Sequence, residues 1–118
     1  MPGANLKLRT KAFSLGVVQF VRDLPSEDAV RLMGRQLLRA GTSVGANYRS
    51  ACRARSRSDM IAKLKIVEEE VDECGFWFEL LEESGLQHPR LRPLLQESYE
   101  LLAITVTSIK TLRRKSSG

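Results

Sequence analysis

Histidine is nearly absent. His88 is the only one, which removes histidine metal clusters and histidine-based nucleophile activation from consideration. Cysteine is almost as scarce. Cys52 and Cys74 have neither metal-ligand spacing nor the number a disulfide framework needs, and they read as reduced thiols of a cytoplasmic protein. Aromatic residues are 6% of the chain, and glycine and proline number only 8 and 4, so neither a turn-rich sandwich nor a disordered tract is indicated. No apolar run nears the roughly 18 residues of a membrane span. The start, MPGANLKLRTKAF, has no apolar segment ahead of a cleavage site. There is no nucleophile elbow, phosphate loop or dinucleotide fingerprint. The expectation is a protein that is not an enzyme, holds no cofactor or metal and does not enter a membrane.

What is present is helical periodicity. The 118 residues are 42% apolar and 28% charged, with a net charge of +5, enough for one globular domain over 1–118. Residues 1–5 read as a frayed leader. Phe13, Val17, Phe20 and Leu24 form the stripe of a first helix over about 6–23, stopped at Leu24-Pro25, with Ser26 available as the next cap. A second helix over about 27–54 carries Val30, Met33, Leu37, Ala40, Val44, Asn47 and Ala51 at alternating spacings of three and four, the seam period of packed helices. Ser56 and Asp59 match a capping box for a third helix over about 57–84. Its seam is Met60, Leu64, Val67, Val71, Cys74, Phe78 and Leu81, ended at Ser84-Gly85. A fourth helix over about 89–114 starts at His88-Pro89 with Leu91, Leu95, Ser98, Leu102, Thr105, Ile109 and Leu112 inward, before a polar RRKSSG tail. Short connections imply an all-α, up-down-up-down antiparallel four-helix bundle.

Charge is segregated. Residues 31–65 hold nine basic residues and one carboxylate, whereas 66–83 hold eight carboxylates and no basic residue. On a helical wheel Arg31, Arg35, Arg49 and Arg53 share one face of the second helix, with Arg39 at its edge. With Arg55, Arg57, Lys63, Lys65 and the Arg113-Arg114-Lys115 tail, they read as a stripe for the phosphate backbone of RNA or DNA. Tyr48 is the only nearby aromatic, so binding should be salt-sensitive and poor in sequence selectivity. The stripe reads equally as a solvated face or as a dock for an acidic protein. The acidic run of the third helix reads as a solvated or ion-paired face, because the Glu-x-x-His pairs of di-iron bundles are missing.

Two further features concern packing. Gly34, Gly41, Gly45 and Cys52 line one edge of the second helix, which reads either as tolerated weakness with a kink near Gly41 or as a close helix approach within the bundle or between subunits. Ile66, Phe76, Trp77 and Leu80 make a second apolar patch on the third helix, opposite its seam and interleaved with Glu69 and Glu73. Either the first or fourth helix covers this patch, or it is an interface. Together the edge and the patch argue for a homo-oligomer. Asn47, in a core stripe, would need internal partners and could fix helix register.

The run QLLRAGTSVGANYRSACRARSRSDMIAKLKIVEEEVDE, residues 36–73, resembles the signature of the 23S rRNA-intervening sequence protein family of small bacterial four-helix bundles. The matching positions are Arg39, Ala40, Ser43, Val44, Asn47, Arg53, Ser56, Ile61, Leu64 and Glu73. Gly45 stands where that family often has proline, and Ser50-Ala51 where it often has Glu-Gly. The resemblance implies a homopentamer and kinship with the accessory variability determinant of diversity-generating retroelements, a basic protein that associates with a reverse transcriptase and nucleic acid. On that footing the alternative function is a protein–protein adaptor for an enzyme such as a reverse transcriptase, without nucleic-acid binding of its own.

Overall fold

A computed structural model describes the backbone of residues 2–117 and the side chains of residues 5–115; Met1 of the expected leader and Gly118 of the expected tail lie outside them. Four α-helices make up the described chain: α1 (Pro2–Arg22), α2 (Asp28–Cys52), α3 (Arg57–Glu83) and α4 (Leu91–Ser117). The first helix begins earlier than the sequence stripe suggests. Leu6 and Thr10 extend its buried face by one turn and more, and Thr10 satisfies its hydroxyl on the carbonyl of Leu6 at 2.7 Å.

The helix ends follow local chemistry. Pro25 ends the first segment, but the residue capping α2 is Glu27 rather than Ser26; it is extended, with no side-chain cap bond. At α3, Ser56 Oγ accepts the Asp59 N–H at 3.1 Å. The Asp59 carboxylate reaches back to the N–H of Arg55 at 3.2 Å, one residue before the position a standard capping box would use. Beyond Glu83, Gly85 N–H bonds to Glu82 O and Leu86 N–H to Leu81 O. This is the Schellman pattern, and Gly85 supplies the required left-handed backbone at φ +102°. The fourth helix starts two residues later than expected, because His88 forms a turn of its own. Its Nδ1 accepts the Arg90 N–H at 3.0 Å, and its ring sits edge-on to Phe20 at 4.8 Å.

Each helix packs on its neighbours in sequence, and α1 also meets α4 along a shorter line; the backbones of α1 and α3, and of α2 and α4, do not approach closely, and α1 reaches α3 through core side chains such as Phe20 and Phe78. Residue numbers run in opposite directions across every seam. Val21, Val17 and Ser14 of α1 lie against Gly34, Gly41 and Gly45 of α2 in that order. Arg92 and Tyr99 of α4 reach Glu82 and Glu79 of α3. Arg9 and Arg90 bond to Glu97 and Gln19 across the α1–α4 seam. The body measures 51 × 22 × 21 Å.

The interior is a single apolar column with Phe20 and Phe78 in edge-to-face contact, centroids 5.4 Å apart, near one end. The α3 seam from Leu64 to Leu81 is buried throughout. Two seam positions need correction. Asn47 is only half-buried and does not key the core; its amide bonds to Ser43 O and Oγ of its own helix at 2.9 and 2.8 Å. The next residue, Tyr48, takes the core place at 4% exposure. On α4, Leu101 is fully buried and Leu102 only partly so.

The glycine edge is spent inside the chain. A Cβ at Gly41 would lie 2.6 Å from Val17 Cγ1, and one at Gly45 2.7 Å from Ser14 Oγ. Ser14 Oγ donates to Gly41 O at 2.6 Å and accepts the Gly45 N–H at 2.9 Å. One hydroxyl from α1 therefore touches both ends of a single rung of the α2 ladder. The close approach at Gly34, Gly41 and Gly45 is thus made to α1 and the segment after it, within the chain.

Candidate nucleic-acid interface

The basic residues of α2 do not form one continuous stripe. Arg31 and Arg35 sit in its first turns and Arg49 and Arg53 at its end, about 21 Å apart along the axis from Arg35 to Arg49. Leu38, Thr42 and Ala46 fill the interval. Arg39, expected among the phosphate contacts, is already engaged: its guanidinium pairs with Glu73 and, at 3.5 Å, with Glu70. The Glu73 carboxylate also accepts Trp77 Nε1–H at 3.0 Å. Trp77 and Arg39 together hold Glu73 below the usual carboxylate range, and the Glu73 hydrogen bond holds Arg39 above its ordinary value. Arg39, Glu73 and Trp77 are a strut between α2 and α3. Lys65 leans on Glu68 of its own helix at 3.6 Å.

The remaining cations gather at one end of the bundle. The turn between α2 and α3 forms a shallow depression lined by Ser50, Arg53, Arg55, Ser56, Asp59 and Lys63. Arg57 follows on the first turn of α3. Because α1 starts beside the end of α2, Lys7 and Lys11 join Arg49 around one groove. Because α4 finishes there too, Lys115 lies over Tyr48, Met60 and Leu64. Among the described residues no ion pair engages Arg49, Arg53, Arg55, Arg57 or Lys63, and the four arginines are exposed. Asp59, the one carboxylate in the turn, is bonded to the backbone as a cap. The N–H groups of Arg57 and Ser58 open the first turn of α3, where a helix favours negative charge.

Lys7 and Lys11 escaped the sequence reading because they are about 40 residues from the arginines they join. Only the opposed direction of α1 and α2 brings them together. Tyr48 provides no stacking surface, since it is buried and its hydroxyl is pushed up to about 12 by burial and by Cys52. Burial also pushes the Cys74 thiol up, whereas Cys52 is exposed. Among the described residues no three His, Cys, Asp or Glu side chains converge as metal ligands, and no helix is long and apolar enough to cross a membrane.

The apolar patch on α3 is not covered by α1 or α4. Phe76 is 53% exposed, Ile66 39% and Leu80 38%. Trp77 is half-buried, edge-on to Phe76 at 4.9 Å, and its indole N–H is committed to Glu73.

No curated protein matches the chain. Among solved structures it is similar to a protein of unknown function from the S23 ribosomal protein family of Bacteroides thetaiotaomicron VPI-5482. The two share 32% identity over 93% of this chain and 99% of that one, with a TM-score of 0.84. Residues 5–107 match the family described as 23S rRNA-intervening sequence protein. The four-helix fold, the Arg39 to Glu73 motif on its two central helices and the extent of these matches lead to one conclusion: the chain belongs to the 23S rRNA-intervening sequence protein family.

Proposed function

We propose that the end of the bundle bearing the α2–α3 turn binds the phosphate backbone of RNA or DNA, and that the protein is a non-enzymatic accessory factor. The reading rests on one observation. Basic side chains from α1, α2, α3 and the end of α4 converge there, and the single carboxylate of the turn is occupied as a helix cap. Arginine forks and helix N–H groups suit phosphate oxygens. With Tyr48 buried, nothing in the turn stacks on bases, so affinity should come from charge. The names of the family and of the similar protein make RNA the first ligand to try.

In this reading the protomer is an up-down-up-down bundle, supported by the opposed residue order across each seam, and it works as a cytoplasmic homo-oligomer, with a pentamer implied by the family resemblance. Repeating one weak basic end in an assembly raises avidity. Fluorescence polarisation with labelled single- and double-stranded RNA and DNA at two salt concentrations tests the binding. Replacing Arg49, Arg53 and Arg57 together by Gln should weaken it and flatten the salt slope by roughly 2–3. Replacing Arg31 and Arg35, at the far end, should change it little. No binding of the wild type at low salt rejects the proposal.

The exposed α3 patch favours a second reading, a protein–protein adaptor that engages an enzyme such as a reverse transcriptase. Its mark would be a protein partner that survives nuclease treatment during co-purification and is lost on Phe76→Glu.

A further inference from the structure

Two apolar faces are left open, and they differ in charge. The first is the groove along α1 and α2, where Leu8 and Leu15 are 73% and 57% exposed beside Val18 and Ala46, rimmed by Lys7 and Lys11. The second is the α3 ridge of Ile66, Phe76 and Leu80, set among Glu69 and Asp72. α1 contains no Asp or Glu, and α3 from Ile66 onward contains no Lys or Arg. α1 and α3 lie diagonally across the core, their backbones never adjacent, so the outward sides of the two helices face opposite ways.

We infer that the α3 ridge of one protomer seats in the α1–α2 groove of a second copy, as a head-to-tail contact. A groove laid on another groove would oppose lysines to lysines, and a ridge laid on another ridge would oppose carboxylates to carboxylates. Like charges brought together across an interface are strongly disfavoured, and complementary ones fix the register. Ile66 to Leu80 spans about 21 Å of helix and Leu8 to Val18 about 15 Å, so the ridge fills the groove and overhangs it by about one turn. The Lys7 and Lys11 ammonium groups then meet the Glu69 and Asp72 carboxylates around an apolar centre, which leaves Arg53, Arg55, Arg57 and Lys63 of the basic end to face phosphate in the assembly. Because each protomer offers one of each face, the contact repeats from subunit to subunit and ends only when the rotation closes a ring. The inference specifies the interface of the homo-oligomer proposed above. It does not depend on nucleic-acid binding.

The test is complementation between two variants on exposed positions, Phe76→Glu, which blocks the ridge, and Leu15→Glu, which blocks the groove. Circular dichroism confirms that each keeps its helices, and sedimentation or light scattering gives the mass at matched protomer concentration. The expected result is an oligomeric wild type, two monomeric variants, and a one-to-one heterodimer when the variants are mixed, because the intact groove of one accepts the intact ridge of the other. A monomeric wild type overturns the inference and leaves the faces to a different partner. Persistent self-assembly of either variant, or variants that stay monomeric when mixed, overturns the head-to-tail geometry. Polarisation titration of monomeric Phe76→Glu with RNA separates the two proposals, since Phe76 lies outside the basic end: loss of avidity weakens its binding, whereas binding that vanishes at low salt counts against the nucleic-acid proposal and not against the interface.

Discussion

At the scale of single residues, small groups decide the geometry. Gly41 faces the rigid, β-branched Val17 at a distance no Cβ tolerates, so Gly41→Ala should destabilise the bundle by about 1–3 kcal/mol despite the better helix propensity of alanine. Gly75 is the counter-case. A Cβ there would meet Ser98 Oγ at an ordinary 3.5 Å, and Gly75→Ala should stabilise by about 0.5–1 kcal/mol. Urea unfolding at fixed protomer concentration distinguishes the two signs. Glu73 gives a pH prediction. Its folded carboxyl lies below its unfolded value because Trp77 and Arg39 hold the anion. Its contribution is therefore complete above the unfolded value of about 4.3 and is lost as pH falls through the folded one. Thermal melts across that acid range should show a steeper loss for the wild type than for Glu73→Gln.

At the scale of elements, the helices were legible because their seams repeat at three and four residues and their ends carry recognisable caps. The α3 seam, seven positions long, lies inward over its whole length. The errors fall where two adjacent residues compete for one seam position. After Val44 the next inward place is three or four residues on, and periodicity cannot choose between Asn47 and Tyr48. The desolvation cost of an amide against the apolar area of a phenol ring chooses Tyr48. The same ambiguity separates Leu101 from Leu102. The motif residues Arg39 and Glu73 were legible as a pattern, but their pairing was not, since it needs α2 and α3 laid side by side. The α3 terminus supplies the prediction at this scale. Gly85→Ala forces a side chain into the left-handed region, and a cost of about 1 kcal/mol is expected in chemical denaturation even though open space surrounds the position.

At the scale of the whole molecule, the candidate site was half legible. The arginines near the α2–α3 turn stand together in the chain, but their lysine companions come from α1 and α4 and are joined only by the fold. The continuous stripe read on a wheel divides into two clusters, because the middle of that face belongs to an apolar groove. The division has a consequence for motion. A 51 Å rod with a surplus of cations at one tip and near balance at the other carries a permanent electric dipole along its length. In the field of a polyanion such a rod experiences a torque before it touches anything, so collisions should arrive tip-first and fewer encounters be wasted on the wrong orientation. Charge reversal at Arg53 and Arg57 would shrink that torque, and stopped-flow association rates at low ionic strength would fall by more than the loss of two contacts explains.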